Sequence, residues 1–245
     1  MRALSAAELL LVWERGLARP PYERALSLLA MACPESSFDE LSVLSVGERD
    51  ARLLTLREWT FGSDLSGLMM CPACGNRLEL SFHVADIRIT TGVDQPTDSH
   101  SLYINNYDIH FRLPNSLDLA ALAAGESVTA GEKFLLKRCL LSARYQDAEV
   151  SVEELPIEIL DAVATALDTA DPQANVQLQP ECVQCGHLWQ TAFDIEAFFW
   201  TEIQAWAART LREVDTLARA YCWREADILN MSPQRRQFYM KMLNT

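Results

Sequence analysis

The sequence has no apolar run approaching the roughly 18 residues that cross a bilayer. Its best candidate, Leu9-Leu10-Leu11-Val12, is preceded by Glu8 and closed by Trp13-Glu14-Arg15, so no membrane insertion is expected. No signal peptide is recognisable, and the cysteine total of 7 is odd. Both features argue for a reducing, cytoplasmic setting in which thiolates bind metal rather than oxidise. Positive charge is scarce: 21 Lys and Arg stand against 34 Asp and Glu, a net charge of −13. Such a surface repels phosphate backbones and anionic lipid and suits basic or neutral protein surfaces. Catalytic signatures are missing as well. There is no Ser-His-Asp arrangement and no glycine-rich phosphate loop. None of the 4 histidines, His83, His100, His110 and His187, has the glutamate two positions later that a zinc deaminase needs. The expectation is a protein that is not an enzyme and takes no small-molecule substrate.

What the chain does contain is a pair of short cysteine turns, Cys71-Pro72-Ala73-Cys74-Gly75 and Cys182-Val183-Gln184-Cys185-Gly186. Two thiolates two residues apart can grip one metal ion, and the following glycine lets the backbone fold back beneath the sulfurs without a Cβ clash. A lone turn of this kind also fits a redox pair, a disulfide or two ordinary thiols. Two copies favour one shared structural zinc on Cys71, Cys74, Cys182 and Cys185. Four cysteines close the coordination sphere, whereas a catalytic zinc keeps a position open. The gap from Cys74 to Cys182 far exceeds the roughly 15–20 residues of an ordinary zinc ribbon, so a whole subdomain is expected between the two halves. Leu68, Met69 and Met70 lead into the first turn, and Leu78, Leu80 and Phe82 alternate with polar residues after it. Val176 and Leu178 precede the second turn, and Trp189, Ala192 and Phe193 follow it. Each turn therefore reads as the tip of a small hairpin.

With 49% hydrophobic and 22% charged residues the chain reads as globular rather than disordered. The expected class is α+β, predominantly helical, with a small β module built on a split four-cysteine zinc ribbon. Residues 1–62 form an N-terminal helical region, with capping boxes at Ser5/Glu8 and Ser37/Glu40 and a longer helix from Glu48 to Phe61 closed by Gly62. Its Arg49-Asp50-Ala51-Arg52 run reads as a solvated helix face. Residues 63–113 hold the first turn and the β-hairpins. A loop at Gly92–Ser101 is followed by Leu102–Ile104 and Ile109–Phe111 flanking the polar turn Asn105–Asp108. Residues 114–172 are a helical insertion: a helix capped by Asn115 or Ser116, a link at Gly125–Gly131, and helices at Lys133–Ala143 and Glu153–Thr169. The latter has Pro156 in its first turn and is stopped by Asp171-Pro172. Residues 173–193 hold the second turn, and 194–245 the longest helix and the terminal ones.

In that last segment Asp194 is a candidate N-cap, and Ile195, Phe199, Ile203, Trp206, Thr210, Val214, Leu217 and Tyr221 recur at helical spacing. The stripe predicts a helix of roughly 27 residues, about 40 Å long. Phe198 and Trp200 widen it, so it serves either a core of this chain or a face kept for a partner. Ser232-Pro233 opens a terminal helix. Residues 230–245 contain Arg235, Arg236 and Lys241 and no acid, a small basic patch on an acidic body. Phe198, Trp200, Trp206, Arg235 and Arg236 are the candidate partner-binding residues.

Several blocks carry a resemblance. Phe193-Asp194-Ile195-Glu196-Ala197-Phe198-Phe199-Trp200 is followed by Leu211-Arg212-Glu213-Val214 and Leu217-Ala218-Arg219-Ala220-Tyr221. Then come Glu225-Ala226-Asp227-Ile228-Leu229 and Ser232-Pro233-Gln234-Arg235-Arg236. With both cysteine turns, Phe111-Arg112-Leu113-Pro114 with Asp118, and Arg49-Asp50 with Phe61-Gly62, the chain resembles a family from contractile-tail gene clusters. These are the baseplate hub assembly chaperones of T-even-type phages and their counterparts in contractile injection systems. Cys222 stands where that family usually has glycine. The resemblance implies a non-enzymatic role in building or completing a baseplate, hub or wedge proteins as partners, and possible incorporation into a phage-tail-like particle. The other class open at this point is a zinc-ribbon nucleic-acid adaptor, although only Arg77 and His187 bring basic or aromatic character close to the turns.

Overall fold

The computed structural model describes residues 1–89, 99–122, 128–146 and 148–243. In chain order, helices α1 (Ala6–Gly16), α2 (Pro21–Ala32), α3 (Phe38–Ser42) and α4 (Val46–Phe61) precede the hairpin β1 (Asp64–Met70) and β2 (Arg77–His83). After α5 (Val84–Ile87) come β3 (His100–Ile104), β4 (Tyr107–Phe111), α6 (Ser116–Ala120), α7 (Val128–Cys139), β5 (Leu140–Tyr145) and β6 (Ala148–Glu149). Then follow α8 (Ile157–Ala170), β7 (Gln177–Leu178), β8 (Thr191–Ala192), α9 (Ile195–Tyr221), α10 (Glu225–Leu229) and α11 (Pro233–Leu243). The protein is α+β and mostly helical. Most of the expected loop at Gly92–Ser101 lies outside the described residues, as do residues 125–127 of the expected link at Gly125–Gly131, while residues 128–131 of that link are the first turn of α7 rather than a hinge.

The chain forms two units, Met1–Ser37 with Ile195–Thr245, and Phe38–Asp194. The first is helical among its described residues. Its opening capping box forms as expected: the Ser5 N–H donates to Glu8 at 2.9 Å, and the Glu8 N–H donates to the Ser5 hydroxyl at 3.3 Å. Helices α1 and α2 pack on α9, which spans 27 residues from just after Asp194. The buried line Ile195, Phe199, Ile203, Thr210, Val214 and Leu217 follows the expected stripe. Gly16 makes one close approach possible. A Cβ there would lie 2.3 Å from the Trp200 ring, which also carries the Arg24 guanidinium 4.8 Å above it. At the far end α9 stops on Cys222, whose φ of 56° is the left-handed conformation that suits the glycine implied there. Beyond it Tyr221, Trp223 and Tyr239 form an aromatic trio with centroids 4.5–5.7 Å apart. The trio and buried Ile228 hold α10 and α11 against Val214 and Leu217. Ser232 caps α11 by accepting the Arg235 N–H at 3.2 Å.

The second unit contains the described strands, in three antiparallel sheets: β1-β2, β3-β4-β5-β6 and β7-β8. Helix α4 starts two residues earlier than expected because Ser45, not a residue nearer Glu48, supplies the cap, accepting the Glu48 N–H at 3.1 Å. Its charged run corrects the solvated-face expectation. Arg49 is only 5% exposed and pairs with Asp50 at 2.8 Å, and burial pushes the Asp50 carboxyl up to about 6 against the pull of Arg49. Only the Arg52–Glu48 pair, one turn apart, lies toward solvent.

The four-stranded sheet begins with a tighter turn than the four polar residues suggested. Asn105 and Asn106 take φ of 48° and 65°, so the strands close up to the Ile104–Tyr107 pair. The helix expected over Lys133–Ala143 ends at Cys139. Leu140–Tyr145 instead pairs with β4, placing Ala143 opposite Ile109. Burial of those two against Leu155, Ile159 and Val163 outweighs the local helical preference. Pro156 sits just outside α8 as its N-cap rather than in its first turn. Beside this sheet Asp118, fully buried, accepts two hydrogen bonds from Arg112 at 2.6 and 2.9 Å, one from Arg138 at 2.7 Å and one from the Asn115 N–H at 3.0 Å. Burial alone would raise its carboxyl, but Arg112 and Arg138 hold it down to about 2.

Candidate metal centre

The two cysteine turns are built alike. In the first, the Cys71 N–H donates to the Asn76 carbonyl at 2.9 Å, and the Gly75 N–H donates back to the Cys71 carbonyl at 2.9 Å. In the second, the Cys182 N–H donates to the His187 carbonyl at 2.9 Å, and the Gly186 N–H to the Cys182 carbonyl at 2.8 Å. Gly75 and Gly186 take φ of 71° and 70°, the conformation for which glycine was expected. Backbone N–H groups aim at sulfur in matching positions too, from Asn76 to Cys74 and from His187 to Cys185.

These turns, 108 positions apart from Cys74 to Cys182, place their sulfurs together. The Sγ atoms of Cys71, Cys74, Cys182 and Cys185 all lie within 4.8 Å of one another. Across the turns Cys71 meets Cys185 at 3.7 Å and Cys74 meets Cys182 at 3.6 Å. A tetrahedral metal with sulfur bonds of about 2.3 Å requires sulfur–sulfur edges of about 3.8 Å, and the two edges across the turns match it. A disulfide, at about 2.05 Å, is a different geometry. Cys71 and Cys182 are buried and Cys74 and Cys185 exposed, so the outer two sulfurs form the solvent side of the site.

The wall behind the buried sulfurs is Leu78, with Met69 and Trp189 packed against it. Phe82 and Phe193 meet edge-to-face, ring centroids 5.6 Å apart, and join the bases of the two hairpins. The His187 ring stacks on Trp189 rather than on a sulfur, so its contribution to the site is through its backbone.

The neighbouring sulfurs shift the Cys182 and Cys185 thiols in opposite directions. Burial raises the Cys182 thiol, but the backbone N–H groups of Cys185 and Gln184 and the neighbouring sulfurs of Cys185 and Cys74 bring it down to about 7. The His187 N–H lowers the Cys185 thiol, yet the Cys74 sulfur, burial and the remaining sulfurs push it up to about 12. A divalent cation held by these four sulfurs would supply the charge that favours their thiolate forms.

The hairpins under the two turns differ. β1 and β2 pair over seven residues, from Asp64–His83 to Met70–Arg77. β7 and β8 pair over two, Gln177–Ala192 and Leu178–Thr191, with one further bridge at Glu181–Leu188. The shorter base is anchored from upstream instead. Asp171 accepts the Gly47 N–H at 2.9 Å, and Gln173 accepts the Ile89 N–H at 2.8 Å and donates to the Ile87 carbonyl at 3.2 Å. Neither anchor was expected from the sequence, where Asp171-Pro172 signals only a helix stop.

The candidate partner-binding residues are dispersed within the first unit. Trp200 is 4% exposed, spent on Gly16 and Arg24. Arg236 is 3% exposed and pairs with Glu213 at 3.0 Å and the Met231 carbonyl at 2.8 Å. Both serve the interior rather than a partner surface. Phe198 and Trp206 are half-buried, and Arg235 is exposed.

The fold and the site together define a mostly helical α+β protein whose two distant hairpin tips converge on a four-sulfur cluster able to hold a metal ion. The chain belongs to the T4 bacteriophage base plate protein family, whose family model matches residues 8–200. That span includes both cysteine turns and ends at Trp200, so the resemblance blocks from Leu211 onward lie beyond it. Comparison with curated proteins and with solved structures found no match. No helix among the described residues is long and apolar enough to cross a membrane.

Proposed function

We propose that the chain is a non-enzymatic baseplate assembly factor or baseplate component of a contractile phage tail or phage-like injection system. It acts by binding hub or wedge proteins, from the cytoplasm or within the particle, and carries one structural zinc on Cys71, Cys74, Cys182 and Cys185. The observation that supports this reading is a cluster of four cysteine sulfurs within 4.8 Å of one another, lying inside the residues that match the family. Zinc is favoured by an all-thiolate tetrahedral set in a reducing compartment. Four protein ligands leave no position for a substrate, so the metal's work is to clasp. The acidic surface, net charge −13, supports protein partners over nucleic acid.

The test compares metal content and location. Zinc at one equivalent per chain, absent in Cys182→Ser, supports the metal assignment; a metal-free, fully folded chain overturns it. Presence of the protein in a pull-down of free subunits but not in purified particles supports an assembly factor, stoichiometric presence in particles a component, and absence from both defeats the baseplate role.

A further inference from the structure

The β1–β2 ladder leaves one of its edges open. The Cys71 N–H donates to the Asn76 carbonyl just beyond one end, and the Val84 N–H to the Ser63 carbonyl just beyond the other. In an antiparallel pair, residues bonded in this way alternate with residues whose N–H and C=O point away from the partner strand. Leu65, Gly67 and Met69 therefore bond to β2, while Asp64, Ser66, Leu68 and Met70 turn their backbone outward. No hydrogen bond among the described residues uses the outward groups of Ser66, Leu68 or Met70. The β2 edge is guarded by contrast: the Asp86 carboxylate takes the outward His83 N–H at 2.8 Å, and Arg77 and Glu79 put charge along it. β1 has none of the devices that blunt an edge. Its seven consecutive pairs run without a bulge, and residues 65–70 contain no charge and no proline. Leu68 and Met70 stand beside the open edge, 60% and 61% exposed.

We propose that the open edge of β1 takes a third strand from another baseplate subunit: an extended segment, neutral or basic, with apolar residues at alternate positions against Leu68 and Met70. The inference rests on the proposed baseplate role and names a surface that would perform it. Backbone groups select the kind of occupant. Successive outward N–H and C=O groups along Ser66, Leu68 and Met70 can be met together only by another extended backbone, which a helix face, a duplex or a lipid does not offer. A two-stranded hairpin is also marginal alone, so a third strand steadies the hairpin as it docks the partner. Charge selects the source. Residues 38–194 hold 10 Lys and Arg against 24 Asp and Glu, a net charge of −14, so the same edge of a second copy would bring another body of that charge alongside.

The test is hydrogen exchange on the full-length protein, alone and in the complex purified after co-expression with the other baseplate subunits, resolved to single amides by mass spectrometry. In the free protein the amides of Ser66, Leu68 and Met70 should exchange readily, while those of Gly67 and Met69 are protected. In the complex the first three should slow about tenfold or more. Leu68→Pro removes an N–H that the β1–β2 ladder does not use, and should cut the co-purified subunit about tenfold or more. Leu68→Lys leaves the backbone intact and sets a cation against a neutral or basic strand; it should lower the yield while melting at the wild-type temperature, which separates lost docking from lost folding. A complex in which Ser66, Leu68 and Met70 exchange as in the free protein, or whose yield neither variant lowers, overturns the proposal and leaves the baseplate role standing. Slowing of these amides in the protein alone as its concentration rises would put a second copy on the edge and overturns it too. No co-purification of the wild type with any subunit defeats the baseplate role itself, and this inference with it.

Discussion

The two cysteine turns share one backbone but stand on unequal foundations. The first rests on the seven-residue ladder of β1 and β2, and the second on the two-residue ladder of β7 and β8, held from upstream by Asp171 and Gln173. A hairpin of two strands is marginal in water even when long, and two residue pairs contribute little on their own. Two cysteine turns of identical backbone need not be equally preorganised. The first half-site is formed by its own strands, and the second by Trp189 and Phe193 and by side chains that reach other elements.

With zinc in the cluster as proposed, its removal should separate the two turns most. Structural zinc in small domains is worth about 10–16 kcal/mol, so chelation, or Cys182→Ser, should release the second turn. In hydrogen exchange, the amides of Cys182 and Gly186 should lose protection while the β1–β2 ladder keeps much of its own. Equal loss on both sides would mean the ladders are not what distinguishes them.

Next in size is Gln173→Ala, which leaves the Ile89 N–H and the Ile87 carbonyl without their partner; at roughly 1–3 kcal/mol for each such group it should cost about 2–6 kcal/mol. The loss should appear as weaker zinc retention in a chelator competition, with the β1–β2 ladder unaffected.

A pH effect of about 3 kcal/mol should follow from Asp50, on the helix that Asp171 grips. Its carboxyl is raised from 3.8 to about 6 by burial, with Asp194 and Asp171 adding to the rise. A raised carboxyl contributes stability that is full below about 4 and lost as pH climbs through about 6, so denaturant midpoints should fall across that window and flatten in Asp50→Asn. Asp118 has the opposite sign and a separate window: held at about 2, it stabilises above about 4 and fails only in strong acid.

The finest test is a matched pair. Gly75→Ala and Gly186→Ala each force a side chain into φ near 70°, a cost of about 1 kcal/mol or slightly more. The first substitution should be absorbed by its hairpin, while the second should lower zinc affinity more, measured by competition with a chromogenic chelator.

Much of this architecture was legible in the residues themselves, because it depends on short-range chemistry. The Ser5 cap, the 27-residue stripe of α9, the Ser232-Pro233 start and the paired Cys-x-x-Cys-Gly turns are local patterns, and each leads to the element or cluster it suggests. What escaped notice depends on partners distant in the chain. Leu140–Tyr145 has helical neighbours and becomes a strand only because β4 lies beside it. Arg49 resembles a surface residue until Asp50 and Ser116 enclose it. Trp200 and Arg236 read as contact residues because an aromatic or an arginine signals equally well a core and an interface. The role of Arg138 at Asp118, 20 positions away, has no sequence signal at all.

A clasp at the ends of a long stretch has a consequence for what lies between. The stretch between the turns includes a sheet and α8 with an apolar core of their own, Ile109, Ala143, Leu155, Ile159 and Val163. Closing a loop costs entropy only as the logarithm of its length, about 0.6 kcal/mol per doubling. The enclosed stretch is thus free to lengthen, shrink or be exchanged over generations, provided its ends return to the same four sulfurs and the Asp171 and Gln173 anchors survive. Because Ser116 also closes over Arg49, the stretch can change length but stays tied to α4.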